Sequence, residues 1–176
     1  MICILVILTG APIVKDLNNA NKSKYNKKLT KIDIVEQQLL NANELFCSGE
    51  RIITTITIAG ASEEILGKLV SSTGQANSIE SEVRDQCDIF ESFFGRVGDS
   101  KTFRDLENNA RNELKHIGTG NDVALDLEQE AVNLIERGIN NFKMLRPGFN
   151  SAFQAFDDKA AAWWRKRTNQ FNRTAD

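Results

Sequence analysis

Apolar residues recur every three or four positions along most of the chain after residue 29, which is the spacing of one face of an α-helix. The first predicted helix begins at Thr30 and ends at Ser48-Gly49, since glycine commonly supplies the left-handed residue after a helix. The second runs from Glu50 to Val70. Its opening letters, IITTITI, are β-branched and also suit a strand, but the helical spacing continues through AGASEEILGKL without a break. The small residues Ala59 to Ser62 would let another helix approach closely.

The rest of the pattern predicts four more helices separated by short polar turns. The third predicted helix runs from Ser78 to Phe94, with Ser78 and Glu82 near its cap, and the fourth is capped by Ser100 and reaches Ile117. Asp126 is the predicted cap of the fifth helix, and the sixth runs from Phe149 to Gln170. Regular helices with short connections predict an all-α fold, an antiparallel helical bundle of about five to six helices.

The beginning of the chain does not follow this pattern. Met1 to Val14 is apolar, but it is too short for a membrane-spanning helix of about 20 residues and lacks the basic start of a secretory signal. A weak signal or membrane anchor, a strand-like arm, a docked tail and an upstream extension all remain open for it. Lys15 to Lys28 is rich in Asn and Lys, which is typical of a linker. We therefore place residues 1–28 outside the core and a single helical domain at residues 29–172.

The composition and net charge of the chain exclude some classes of functional site. The 176 residues suit one domain, and the net charge of −2 gives no overall attraction to nucleic acid, so any such surface must be local. The cysteines Cys3, Cys47 and Cys87 form no CxxC pair, and one histidine cannot complete a zinc set. Reduced thiols in a cytoplasmic protein are the simplest account, and we expect neither a metal nor a cofactor.

Candidate chemistry concentrates in RNELKHIG, the segment from Arg111 to Gly118. It contains the single histidine of the chain, His116, which lies five residues after Arg111. Asn112 directly follows that arginine. On an ideal helix His116 lies roughly 140° round from Arg111, so the two converge only if the helix unwinds after Lys115. The alternative is that His116 only ends the helix, because an imidazolium is favourable at the negative end of the helix dipole.

A cation-rich site with one base that titrates near neutral pH suits phosphodiester chemistry without a metal. The sequence has no phosphate-binding glycine loop after a strand and no nucleophile elbow. A ribose 2′-hydroxyl would attack the neighbouring phosphorus, and Arg111 would stabilise the charge on the phosphoryl oxygens. Because the reaction needs both a general base and a general acid, we hypothesise a two-fold dimer that brings two copies of His116 together.

Two further features have ordinary structural explanations. The basic cluster Arg165-Lys166-Arg167 suits the end of a helix better than an RNA-binding patch. Trp163 and Trp164 are more typical of core or dimer contacts than of platforms for base stacking.

The segment Arg111-Asn112 with His116 resembles the signature of HEPN domains (higher eukaryotes and prokaryotes nucleotide-binding), in which an arginine and a polar residue precede a histidine by a short spacer. The resemblance extends over residues 29–145, and includes LNANELFCSGERIITTITIAGASEEILGKL and RNELKHIGTGNDVALDLEQEAVNLIERGINNF. The apolar start, the Lys-rich linker and the Trp-bearing last helix lie outside the family pattern.

The resemblance implies a helical bundle that dimerises across the motif helices and cleaves RNA without a metal, in a toxin–antitoxin, phage-defence or RNA-processing role. It implies that Arg111 and His116 are catalytic and that Asn112 orients the site. Lys115, Glu63 and Glu64 would line or support the substrate site, with one of the glutamates paired to Arg111. A nucleotidyltransferase-type antitoxin or another regulatory protein is an implied partner. A non-catalytic module that binds a nucleotide or a protein remains open, since some family members have lost activity, and so does attachment to a membrane through residues 2–14.

Overall fold

The structure, a computed structural model, describes residues 28–115, 125–148 and 151–174. The chain divides into two units, Met1–Thr30 and Lys31–Asp176, and the helices of the described ranges all belong to the second unit. In the described part there are seven α-helices, one 3₁₀ turn (Ser151–Phe153) and no strand. The helices are α1 (Lys31–Ser48), α2 (Ile52–Ser71), α3 (Ser78–Phe94), α4 (Ser100–Glu107), α5 (Asn109–Lys115), α6 (Leu127–Leu145) and α7 (Gln154–Thr174). The all-α class predicted from the sequence is confirmed, with one helix more than the upper predicted number.

The core forms where α2, α6 and α1 pack together. Their apolar stripes turn inward as the helical spacing predicts, and the start of α7 covers one side. Gly138 of α6 faces Leu39 of α1, and a Cβ at this position would lie 2.8 Å from Leu39 Cδ1. The missing side chain therefore lets α1 approach α6 closely. The core residues include Val35, Leu39, Phe46, Ile56, Leu66, Leu134, Ile135, Ile139, Phe142, Phe153 and Phe156.

The β-branched stretch IITTITI is helical, as predicted, and it opens α2. Two of its three threonines satisfy their hydroxyls within the helix: Thr55 Oγ1 donates to the Arg51 carbonyl at 3.3 Å and Thr57 Oγ1 to the Ile53 carbonyl at 2.9 Å. Thr55 is fully buried, so this bond spares the core an unpaired hydroxyl. Tertiary burial of the stripe overrides the preference of these residues for strands.

The prediction of one helix from Ser100 to Ile117 was wrong. The segment forms two helices, α4 and α5, which are separated at Asn108. The Asn108 side chain donates to the Arg104 carbonyl at 2.9 Å, which satisfies a group that the end of α4 leaves unpaired. Asp99 rather than Ser100 caps α4, and Leu106 in its last turn is 64% exposed. Ile117 lies outside the described residues.

The predicted limits of α3 are correct, but its predicted cap is not. Asn77 is the N-cap: its side chain accepts from the Glu80 amide at 3.0 Å, and Glu80 Oε2 accepts from the Asn77 amide at 3.1 Å. This is a capping box one residue before the predicted position. The amide of Ser78 is bound instead by Asn141 of α6, and Glu82 is paired with an arginine of that same helix.

The last helix also begins and ends later than predicted. The predicted start, Phe149, lies outside the described residues, and α7 continues to Thr174. Arg165-Lys166-Arg167 therefore lies inside the helix rather than at its end. Trp163 packs partly buried against the core and donates its indole N–H to Glu128 at 3.0 Å, whereas Trp164 is 42% exposed.

Among the helices of the described ranges, none combines the length and the apolar character that crossing a bilayer requires. The apolar stretch Met1 to Val14 lies outside those ranges.

The predicted cap of α6 is confirmed. Asp126 accepts a hydrogen bond from the Gln129 amide at 3.1 Å and forms an ion pair with Arg167 of α7. Burial raises the pKa of Asp126, but the bonds from Gln129 and Arg167 outweigh this effect and lower the pKa overall. The carboxylate therefore links the start of α6 to α7 in its ionised form.

We expect Asp126→Ala to lower the free energy of unfolding by about 1 kcal/mol at neutral pH, because α6 loses its N-cap. Since the folded pKa is lowered, the stabilising effect of ionisation is present above the unfolded pKa and is lost as the pH falls through the folded pKa. Asp126→Asn is the matched control, because the amide can cap α6 but cannot ionise. Urea unfolding of the three proteins at several pH values measures both effects, and equal stabilities at pH 7 would contradict them.

Candidate functional site

The arginine of the motif lies on the short helix α5 and points toward α2. Its Nη1 lies 3.3 Å from Glu63 Oε2 and 3.8 Å from Glu64 Oε2. The Arg111 side chain is 18% exposed and the Glu63 side chain 3%. A carboxylate removed from water to this extent needs a charged partner to remain ionised, so the pair links α5 to the middle of α2.

A glycine makes this approach possible. A Cβ placed on Gly60 would lie 3.4 Å from both Cγ and Cδ of Arg111, and 3.7 Å from Leu134 Cδ1. The aliphatic part of the arginine therefore rests on the bare backbone of α2, and its guanidinium reaches the next turn of that helix. The sequence predicted that another helix approaches closely at Ala59 to Ser62, and at Gly60 the structure places Arg111 of α5 and Leu134 of α6.

An open pocket of about 430 Å³ lies beside the Arg111–Glu63 pair. Its size is within the range of small-ligand sites, which is about 300–1,000 Å³. Basic and acidic side chains both reach it, together with two asparagines and Gly67. The lining residues are Glu63, Glu64, Gly67, Lys68, Ser71, Asn77, Ile79, Glu80, Arg104, Asn108 and Arg111.

One donor at this site is unused. Arg111 Nε is buried and has no hydrogen-bond partner in the described part of the chain, while Nη1 carries the contacts with both glutamates. A buried unsatisfied donor costs about 1–3 kcal/mol, and native proteins retain few of them. Nε is thus a donor that no described group satisfies and that is closed to solvent, so the pocket is reached by other parts of the Arg111 side chain.

The structure brings Glu63 and Glu64 to Arg111, so the acidic residues named from the sequence do lie at the motif arginine. Both glutamates contact it, whereas the sequence predicted that only one of them would do so. Glu64 is shared, since its Oε1 also pairs with Lys68 at 2.8 Å on the same helix.

The structure gives fewer contacts for the other predicted site residues. Asn112 is exposed on α5, and its backbone amide donates to the Asn108 carbonyl at 2.9 Å. Lys115 is the last residue of α5. His116 lies outside the described residues, as does Gly118, so its relation to Arg111 stays a prediction.

Sequence reasoning missed a second buried arginine, Arg137 of α6, which is 1% exposed. Its Nη1 lies 2.6 Å from Glu107 Oε2 and 3.3 Å from Glu82 Oε2, and its Nη2 donates to the Glu107 carbonyl at 3.1 Å. Glu107 also accepts from Gln86 at 2.5 Å. Burial raises the pKa of Glu82, and the nearby guanidinium of Arg137 offsets only part of that rise.

Arg137 matters to the site because Glu107 is the last residue of α4, directly before the break at Asn108. The arginine fixes the end of α4 against α6, and α5 begins from that fixed point. The burial of Arg137 could have been predicted from its position on the inward side of the predicted helix, three residues after the core residue Leu134.

No protein-family model matches the chain, and neither the curated proteins nor the solved structures gave a match. The case for a candidate site therefore rests on the residues of this chain alone.

Proposed function

We propose that this chain is a metal-independent endoribonuclease of the HEPN type, acting in a toxin–antitoxin or phage-defence role. The observation that carries the proposal is the position of Arg111. Two glutamates of α2 orient its guanidinium beside an open pocket, on a helix whose last residue directly precedes the single histidine. An arginine whose guanidinium is held in a fixed orientation beside an open pocket is suited to stabilise charge on a phosphoryl group.

In the proposed reaction His116 removes the proton of a ribose 2′-hydroxyl, and the 2′-oxygen attacks the adjacent phosphorus. The bond from phosphorus to the 5′-oxygen breaks, and that oxygen takes a proton from His116 of a second copy acting as the general acid. Arg111 stabilises the negative charge on the non-bridging oxygens. The products are a 2′,3′-cyclic phosphate and a free 5′-hydroxyl, so no water or metal enters the balance.

The direct test is incubation of the purified full chain with single-stranded and structured RNA in excess EDTA. We expect cleavage to continue in the chelator and to yield fragments that end in 2′,3′-cyclic phosphate and begin with 5′-hydroxyl, as mass spectrometry of the products would show. The same substrate with 2′-O-methyl riboses is the control and must stay intact, because it lacks the attacking hydroxyl. Cleavage that requires Mg²⁺, or products with 5′-phosphate ends, would contradict the mechanism.

A second candidate is a non-catalytic helical module that binds a nucleotide or a protein. The observation that favours it is the neutralisation of Arg111 by two carboxylates, which reduces its attraction for phosphate. This candidate predicts that no RNA is cleaved in EDTA by the pure protein, while the pocket beside Arg111 still binds its ligand.

A further inference from the structure

A second arginine reaches the pocket beside Arg111. Arg104 lies in the last turn of α4, its side chain is exposed, and it lines the same pocket as Arg111 across the break at Asn108. On a straight helix their Cα atoms would be about 10 Å apart, from the rise per residue. Two long side chains with that separation can reach one extended ligand from both ends of the pocket.

The charges of the pocket are arranged so that Arg104 is available. Lys68 pairs with Glu64 at 2.8 Å, Glu63 pairs with Arg111, and Glu80 accepts from the Asn77 amide in the capping box. Within residues 28–115, 125–148 and 151–174, Arg104 forms no ion pair and no side-chain hydrogen bond with a carboxylate. It is thus the lining cation whose guanidinium remains free to bind an anion.

The other lining groups indicate what kind of anion enters. Gly67 lines the pocket without a side chain, Ile79 (8% exposed) adds a small apolar patch, and Asn108 carries an amide at the break between the two arginines. An unpaired nucleotide has the matching parts, which are a phosphate for a guanidinium, a flat base for an apolar surface and base edges for amides. Bases inside a duplex are not accessible in this way.

From this arrangement we infer that Arg104 contacts a backbone phosphate of single-stranded RNA, next to the phosphate at Arg111, and that the pocket accepts the intervening unpaired nucleotide. The inference rests on the proposed function and extends it to a substrate class, RNA that is single-stranded at the cleavage point. Arg104 is a binding residue in this scheme and takes no part in bond breaking.

The test measures binding without cleavage, so that its result does not depend on catalysis. The full chain is titrated with a fluorescent 2′-O-methyl oligoribonucleotide at a series of KCl concentrations. Arg104→Ala is expected to weaken binding roughly tenfold at low salt. It should also reduce the slope of log affinity against log salt by about 0.7, the value for one phosphate contact on a single strand.

The matched control is Arg84→Ala, which removes another exposed arginine, on α3, that does not line the pocket. It should change neither the affinity nor the slope. Arg104→Lys, which keeps the charge but not the planar pair of donors, should recover most of the slope and only part of the affinity. The α4 helix contributes no buried residue, so these variants should fold, as circular dichroism would verify.

The inference is overturned if Arg104→Ala and Arg84→Ala bind alike, if the wild-type chain does not bind the oligonucleotide, or if a duplex of the same sequence binds equally well. Failure of the proposed function looks different. In that case Arg104→Ala still weakens binding, but no RNA is cleaved in EDTA by the wild-type chain.

Discussion

His116→Ala and Arg111→Ala are each expected to reduce RNA cleavage in EDTA by at least about a hundredfold. For His116 the loss removes the proposed general base, a role worth about 10²–10⁴ in rate. For Arg111 it removes the donors proposed to stabilise the phosphoryl charge, and one such donor is worth about 10²–10³. Single-turnover cleavage of one defined substrate measures both losses, and Arg84→Ala should retain the wild-type rate.

Arg111→Ala needs a structural control, because Glu63 is buried and the substitution takes away its guanidinium partner. Combining it with Glu63→Gln removes the buried charge, so the double variant should regain stability without regaining cleavage. Arg111→Lys should remain far below the wild-type rate, because an ammonium cannot contact the glutamates and a phosphate with one planar fork. Undiminished cleavage by purified His116→Ala and Arg111→Ala would contradict the catalytic roles assigned to these two residues.

Arg137→Ala is expected to lower the free energy of unfolding by about 3 kcal/mol. The substitution leaves Glu82 and Glu107 facing each other without the cation between them, and it empties the volume of the largest fully buried side chain. Urea unfolding followed by circular dichroism measures the loss. Arg146→Ala is the control, since Arg146 pairs with Asp33 and Glu36 at the surface at 3.5 Å, and exposed pairs contribute less than about 1 kcal/mol.

If Arg137→Ala and Arg146→Ala proved equally mild, the network around Arg137 would not stabilise the end of α4. A second variant, Glu82→Gln, separates the contributions. The raised pKa of Glu82 means that the folded state binds its proton more tightly than the unfolded chain, so its ionisation opposes folding above the folded pKa. We therefore expect Glu82→Gln to cost much less than Arg137→Ala at pH 7.

The sequence alone was sufficient to predict the helices that form the core. The stripes of α1, α2 and α6 repeat over four or more turns, so a single contrary signal such as IITTITI did not alter the period. The cap at Asp126 was also predictable, because an aspartate directly before an acidic first turn has one obvious geometry.

The local errors arose where two capping residues competed. Asn77 and Ser78 are adjacent and both cap helices well, but only Asn77 has an acidic residue, Glu80, at the third position after it, where a capping box requires one. The Asn77–Glu80 capping box is local, whereas the Ser78 amide donates to Asn141 of α6 at 2.8 Å. That partner is 63 residues away in sequence, so no local pattern contains it. The break at Asn108 is similar, because the end of α4 is fixed by Arg137 of a distant helix.

Of the candidate site, the motif arginine and the acidic region of α2 were predictable, but the pocket was not. A stretch of sequence identifies residues that can share a helical face, and Arg111 with Glu63 was suggested by the family resemblance. Arg104 lies seven residues before Arg111, a spacing that puts two residues on one face of a helix, but only the structure shows that residues of α2 and of the start of α3 complete a pocket at that face. Charge pairing decided which of the lining cations remains available.

The sparse packing of α4 and α5 has a consequence for how the protein opens. α4 buries no residue, and the described contacts of α5 with the core are those of Arg111 and Leu114, whereas α2 and α6 are packed along their whole length. Separating α4 and α5 from the bundle exposes little apolar surface, so the ion pairs Arg111–Glu63 and Arg137–Glu107 are the main contacts that a local opening must break, and the amides of α4 and α5 can exchange with solvent at a lower free energy than that of global unfolding. The segment that leads into the motif can thus fluctuate as a unit of its own while α2 and α6 stay protected from exchange.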